Sequence, residues 1–427
     1  MDKCLNCIKN DDSACECDSY FTYDGCWNSQ CIACTSKNHQ CGPNICSICD
    51  WSSGKELCIK IDPSATWDNL LHMKGSISDF PAYIAQRYSI DPKGLHPVEH
   101  LIPLVKILSY ANNTEWAFEP TQLIQRVNAT ICFTPQNAVW LLANSFLGNI
   151  QSEKLCWKSL FMSSSRLAQE RIKCICDYFE RFDPLQEGRV IEISRLVYDN
   201  TAVLPLDTIV TTDHVIIHTD SMESKADSAF VDFANEDLHI HKIIPSLTQE
   251  EVLFSMCSEC FIALLIVPTL RDDEAIVFRN VWRHSSYTGY LESFKWQPLN
   301  QTNWITNIIA IDATVYNQFG LVERDLKKAI LGFGNVPNDC ISTGKWGCGA
   351  FGGDIHLKFI QQLIAAQFTN KLLYYSSFNN DDEALSYHQL CRMIDAKQPT
   401  LRWMLNSISN FPYQHGFFKH ICRGLKE

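Results

Sequence analysis

The sequence predicts an α/β protein: a sheet with helices on both faces, preceded by a helical region and a small cysteine-rich head. Three observations predict this. Beyond Gly188, short β-branched and apolar runs alternate with helical stretches. From about residue 63 to 182, apolar residues recur at helical spacing, and 11 of the 21 cysteines fall within the first 58 residues. Continuous apolar strands separated by helices suit a sheet buried on both faces, because neither face can be left wet.

The head has three C-x-x-C pairs, Cys4/Cys7, Cys31/Cys34 and Cys46/Cys49, with Cys15, Cys17, Cys26, Cys41, Cys58 and His39 around them. A C-x-x-C turn offers two thiolates to one tetrahedral zinc ion, and two such pairs complete a site. So few large aliphatics cannot build a core, so structural zinc is expected to supply the folding energy, with ligand pairing left open. A disulfide-rich head is the alternative, and it would require an oxidising compartment. Five Lys against eight Asp and Glu make the head a candidate protein-interaction module rather than a DNA reader.

In the helical region, Val98, Leu101, Ile102, Val105 and Leu108 share a helical face, with Pro103 tolerable only in a first turn. Thr134 is placed to cap a helix whose first residue is Pro135 and whose apolar face is Val139, Leu141, Leu142, Phe146 and Leu147. A third helix is expected from Arg166 to Phe182. Strands are then expected at 189–193, 208–210, 215–217, 229–233, 260–267, 308–311 and 372–375, and helices at 250–256, 324–331 and 355–368. There is no internal repeat, and the expected division is 1–60, 61–185 and 186–427.

The longest apolar stretch, near Phe261 to Val267, is far short of the ~20 residues of a membrane span, and the N-terminus has no signal-peptide core. The expectation is a soluble intracellular protein, in the nucleus or cytoplasm, not secreted and with no membrane partner. A net charge of −12 argues against direct DNA binding. It leaves room for an anionic ligand held by backbone N–H groups.

Such a ligand has a candidate place. Thr343 to Asp354 reads TGKWGCGAFGGD and precedes a helix starting at Ile355. Five glycines in ten residues permit positive φ and bare backbone, and Asp354 suits an N-cap. A glycine-rich strand-to-helix connection that serves packing alone would look the same.

The full string is more specific. It resembles the diphosphate-binding loop of poly(ADP-ribose) glycohydrolases, which typically read TGNWGCGAFGGD. Further blocks resemble that family in order: Ala143-Asn144-Ser145-Phe146, Val231 to Asn235, Gln249-Glu250-Glu251, Tyr287 to Tyr290 and Ile309 to Ala313. The resemblance implies a macrodomain-like mixed sheet flanked by helices, carrying an N-terminal helical accessory domain. It implies hydrolysis of ribose–ribose O-glycosidic bonds in poly(ADP-ribose), without a catalytic cofactor. Poly(ADP-ribose) or ADP-ribosylated proteins would then be partners. By the same resemblance Glu251 is the acid, Glu250 positions the ribose, and Asp232 and Asn235 support the loop and bind the distal ribose. Tyr290 closes the site, Gln249 lies against the substrate, and Gly347, Cys348, Gly349, Ala350, Phe351, Gly352 and Gly353 hold the diphosphate. Glu223 is a one-residue-offset match to the adenine-pocket acid.

Glycoside hydrolysis needs a carboxylic acid to protonate the leaving oxygen. Ser246-Leu247-Thr248-Gln249 has the form of a capping box, which would set both Glu in a first helical turn. One block departs from the family: three consecutive glycines are replaced by His239-Ile240-His241. A β-branched Ile resists positive φ, so the loop is expected to take another path, weaken binding or block the pocket. The two histidines could ligate a metal only with a third ligand. An active glycohydrolase, a non-hydrolysing ADP-ribose reader and a scaffold for the head therefore all remain open.

Overall fold

A computed structural model describes residues 104–426, apart from 186–187, 202, 302–303, 316–321 and 412–415, together with the short strand Lys60–Ile61. Eight strands form one sheet. In chain order they are β1 (Ala129–Phe133), β2 (Ile191–Val197), β3 (Val215–His218), β4 (Ala229–Asp232), β5 (Glu274–Arg283), β6 (Trp304–Ala310), β7 (Cys340–Thr343) and β8 (Leu372–Ser376). Their order across the sheet is β1-β2-β5-β6-β4-β7-β8-β3. From β6 to β3 all pairs are parallel, whereas β5, β2 and β1 continue the sheet antiparallel.

The strands alternate between two cores, as a pleat requires. Phe230 faces one core while Ala229 and Val231 face the other, and Ile308 and Ala310 part from Ile309 in the same way. The first core is covered by α1 (Leu104–Ala111), α2 (Pro135–Phe146), α3 (Arg166–Arg181) and α4 (Gln249–Met256). The second is covered by α5 (Val322–Gly334), α6 (Ile355–Phe368), α7 (Asp381–Lys397), α8 (Leu401–Ser409) and α9 (Phe417–Lys426). Helix α2 starts where the sequence places it. The Thr134 side chain accepts from Asn137 N at 3.1 Å, and Asn137 Oδ1 accepts from Thr134 N at 2.9 Å. Such a cap stabilises a helix start by about 1 kcal/mol.

Two expected strands are not strands. The run 260–267 forms a 3₁₀ turn, Ser258–Ile262, and a short helix, Ala263–Ile266. A wholly buried apolar run carries no period that separates the two states. The run 208–210 makes only a single bridge, Ile209 to Thr400.

The expected structural zinc is also corrected. Among the described residues no group of three or more His, Cys, Asp or Glu could hold a metal ion. A site needs at least three converging ligands, and the ten described cysteines are dispersed and free. Cys4, Cys7, Cys31, Cys34, Cys46 and Cys49 lie outside the described residues. No helix among the described residues is long and apolar enough to cross a membrane.

Candidate active site

The parallel strands bring their C-terminal ends to one edge of the sheet, where open α/β sheets place ligands. A cleft of about 380 Å³ opens there. One wall is the glycine loop, through Gly344, Lys345, Cys348 and Gly349. The opposite wall is α4, through Gln249 and Val252, with Phe233, Met222 and Glu223 beside it. Tyr287, Tyr290 and Phe378 close the far end. The volume and the mostly apolar walls with few polar groups are those of a small-molecule site.

The loop is held from below. Trp346 is fully buried and its indole donates to Ile311 O at 2.8 Å. Lys358 lies 4.8 Å from the centre of the Trp346 ring and pairs with Asp325. Asp325 also binds Arg324 at 2.9 Å, and Asp312 pairs with Arg324 and Lys328. Burial pushes the Asp325 carboxyl up, but Lys358, Arg324 and the Thr314 hydrogen bond together outweigh this and hold it below the ordinary range.

Two glycines are needed for backbone reasons. Gly347 has φ +73°, and a Cβ there would sit 2.5 Å from the Ala313 Cβ. At Gly353 a Cβ would sit 2.8 Å from the Gly347 carbonyl, which accepts the Gly353 N–H at 2.9 Å. The N–H groups of Gly347, Gly349, Ala350 and Phe351 have no protein acceptor among the described residues. Such a run of open N–H groups suits an anion. The sequence-expected cap is present: Asp354 accepts from His356 N and Leu357 N at 2.9 and 3.1 Å, opening α6. Burial pushes the Cys348 thiol up to about 12, so it is not a thiolate.

The two Glu lie in the first turn of α4, buried and not among the residues that line the cleft, and the capping box is two residues later than expected. Thr248 is the N-cap and Glu251 is its partner. Glu251 Oε2 accepts from Thr248 N at 2.5 Å, and Oε1 accepts from Ser246 Oγ at 2.6 Å. Glu250 is buried and accepts the His239 N–H at 3.0 Å. Burial, and then the charge of Asp232, hold its carboxyl well above the usual carboxylate range. Asp232 ends β4 with no solvent exposure, and neither carboxylate oxygen has a hydrogen-bond partner among the described residues. Burial and the charge of Glu251 push it well up too.

Gln249 joins these two elements. Its amide accepts Phe233 N at 2.7 Å and donates to Val231 O at 3.0 Å, clamping α4 to the end of β4. Asn235 forms a turn by accepting Asp237 N at 3.0 Å. Glu223 is buried and accepts Tyr287 Oη–H at 3.0 Å; burial pushes its carboxyl up. Tyr290 packs edge-on to Phe378 with ring centres 5.4 Å apart.

The substituted turn takes the conformation expected to be resisted. His239 has φ 57° and Ile240 φ 47°, both left-handed. His239 is buried, its ring 4.6 Å from Phe254 and 5.3 Å from Phe261, so this imidazole belongs to the core and not to the cleft. Burial, and then Arg171, hold it well below the usual imidazole range, hence neutral.

Sequence reading missed Arg171. It projects from α3 of the helical region, fully buried, and donates to Ser246 O at 3.2 Å and Ser255 Oγ at 3.3 Å. Burial lowers its pKa, and Glu251 opposes that shift most strongly. A lone Arg in an amphipathic helix carries no sequence signal for this role. The buried Asp325–Lys358 pair had none either, because its partners are 33 residues apart.

Comparison with known proteins agrees with this layout. A family model described as poly(ADP-ribose) glycohydrolase, macro domain fold, matches residues 205–385, and one described as its helical domain matches residues 99–195. Poly(ADP-ribose) glycohydrolase 1 of Caenorhabditis elegans is 29% identical over 61% of this chain and 38% of its own length. Poly(ADP-ribose) glycohydrolase 2 of the same organism is 26% identical over 62% of each chain. This chain thus spans less than two thirds of either relative. Poly(ADP-ribose) glycohydrolase 1 of Arabidopsis thaliana is 26% identical over 52% of this chain and 56% of that protein. A crystal structure of a poly(ADP-ribose) glycohydrolase from Deinococcus radiodurans with ADP-ribose matches at TM-score 0.30 and 17% identity, covering 42% of this chain and 82% of that one. On the two family models and these relatives together, the chain belongs to the poly(ADP-ribose) glycohydrolase family.

Proposed function

We propose that the chain hydrolyses ribose–ribose O-glycosidic bonds of poly(ADP-ribose) and releases ADP-ribose. The observation that carries this reading is that one cleft is lined both by the glycine loop with its open N–H groups and by Gln249 and Val252 of α4, between which Glu250 and Glu251 stand buried just behind the lining. In this reading Gly347 to Gly353 hold the diphosphate, Glu223 and Tyr287 meet the base, and Tyr290 packs on the ligand. Glu250 and Asn235 position the distal ribose, and Asp232 stands behind them. The division into 61–185 and 186–427 belongs to the same reading.

Glu251 is the proton donor. Its Oε2 remains on the Thr248 N–H, so Oε1 carries the proton. Ser246 can release Oε1 because a hydroxyl rotates and both donates and accepts. The proton passes to the leaving ribose oxygen as the C–O bond breaks and the other sugar becomes oxocarbenium-like. The Glu251 carboxylate then takes a proton from the attacking water, which restores the acid. Arg171 holds the segment before α4 from behind.

A second reading, an ADP-ribose reader without turnover, is favoured by one observation: both Glu251 oxygens already accept hydrogen bonds. One assay separates the two. The purified chain is incubated with poly(ADP-ribose) beside Glu251→Gln, and released ADP-ribose is measured. Release by wild type, reduced at least about 100-fold in the variant, is expected. No release from wild type, with ADP-ribose still bound in calorimetry, leaves the reader; no binding at all ends both readings.

A further inference from the structure

We propose that Lys345 and Glu383 form an exchangeable latch that makes the cleft selective for ligands carrying a diphosphate, a reading that rests on the ADP-ribose assignment above. Both residues line the cleft, and Lys345 Nζ lies 3.0 Å from Glu383 Oε2. Lys345 stands inside the glycine loop, at the position where the resembled loop carries Asn. Its carbonyl accepts Cys348 N at 3.0 Å, which fixes the base from which the side chain reaches. Glu383 is fixed as well, in the first turn of α7, its N–H capped by Asn380 Oδ1 at 3.0 Å.

The pair is suited to exchange. It is close enough for an ion pair, yet Glu383 Oε2 makes no directed hydrogen bond among the described residues. Both side chains are partly exposed, at 30% and 23%, while Glu383 Oε2 itself is buried, so the pair as it stands is held by a single contact that a second anion can displace. An entering diphosphate offers Lys345 a second anion, close to the open N–H groups of Gly349 and Ala350. Lys345 turns from the carboxylate to the phosphate, and Glu383 is left as a like charge beside the ligand. A neutral nucleoside gains nothing from Lys345 and is not opposed by Glu383. The ion pair therefore sets the ratio of diphosphate to nucleoside affinity, with Lys345 raising it and Glu383 restraining it.

Calorimetry on the whole chain at low salt tests this with ADP-ribose and adenosine as probes. Lys345→Asn should weaken ADP-ribose about tenfold and leave adenosine unchanged, while Lys345→Arg keeps most of the affinity. Glu383→Gln should strengthen ADP-ribose by roughly threefold, and added salt should shrink both differences. Equal ADP-ribose binding by Lys345→Asn overturns the latch, and so does weaker binding by Glu383→Gln, which would make the pair a fixed scaffold. Equal loss of adenosine in Lys345→Asn also overturns it, as damage to the cleft. If wild type binds adenosine but no ADP-ribose, the proposed function itself falls, and the latch with it.

Discussion

The glycine loop and the turn at His239 to His241 solve one backbone problem in two ways. Gly347 and Gly352 take positive φ with hydrogen alone at Cα. His239 and Ile240 take it with full side chains, at 57° and 47°. Left-handed backbone costs a non-glycine residue roughly 1–2 kcal/mol, so something must hold the turn. Its anchors are visible: Ile240 N donates to Asp237 O at 2.7 Å, Lys242 N to His239 O at 2.9 Å, and His239 N to Glu250 at 3.0 Å. The His239 ring adds its packing on Phe254 and Phe261. At Gly347 and Gly353 the loop uses glycine where neighbours leave no room for a Cβ, whereas the turn needs only a conformation, which other contacts can impose.

The largest effect should come from testing that distinction inside the loop. Gly347→Ala combines positive φ with a 2.5 Å approach to Ala313, while Gly349→Ala meets nothing within 4 Å. The first should cost about 2–4 kcal/mol in denaturant unfolding, the second under about 0.5 kcal/mol. Equal costs would mean that the loop relaxes around an added methyl group, and its glycines would not be steric requirements.

In the turn, the buried ring should matter next. His239→Ala empties the space between Phe254 and Phe261 and should cost on the order of 2 kcal/mol. A neutral outcome would place the anchoring in the backbone bonds alone.

A smaller, pH-dependent effect should come from the carboxyl that the turn contacts. Glu250 has its folded-state pKa raised by burial and by Asp232. An acid raised in this way contributes its stability below the ordinary carboxylate range, and loses it as pH rises toward the folded-state value. Glu250→Gln keeps an oxygen for the His239 N–H and does not titrate. Wild type should therefore lose stability relative to the variant as pH climbs above about 4, at up to ~1.4 kcal/mol per pH unit for one proton. Parallel curves would show that the proton resides elsewhere, for instance on Asp232.

How much of this was legible in the sequence depended on how local the cause was. The Thr134 and Asp354 caps, β4, β8 and all of α6 follow from residues within a few positions of each other. The glycine loop was legible as a string, and its location opposite α4 came from the resemblance. The capping box was misplaced by two residues because Ser246 and Thr248 both fit the pattern, and only the fold chose Thr248. That shift matters for chemistry, since it makes Glu251, the proposed acid, also the capping-box partner of Thr248. The run 260–267 was misread because burial on every side erases the period that separates strand from helix. Arg171 and the Asp312–Arg324–Asp325–Lys358 network were invisible for a different reason. Their partners meet only when the helical region and α5 dock on opposite faces of the sheet.

Ile240 gives the smallest expected effect and the sharpest test of the comparison. It is 61% exposed, so removing its side chain forfeits little burial. Its left-handed backbone is the one feature that Gly would improve. Relief of about 1–2 kcal/mol of strain is partly offset by the roughly 0.5–1 kcal/mol of extra chain entropy that glycine loses on folding. Ile240→Gly should thus raise stability by about 0.5–1 kcal/mol, measured as a higher denaturant midpoint at unchanged slope. The sign is what counts, because at the adjacent His239, also left-handed, truncation is expected to destabilise. If Ile240→Gly is destabilising instead, the exposed isoleucine makes a stabilising contact in solution, and the turn is held from its outer side as well as from the core.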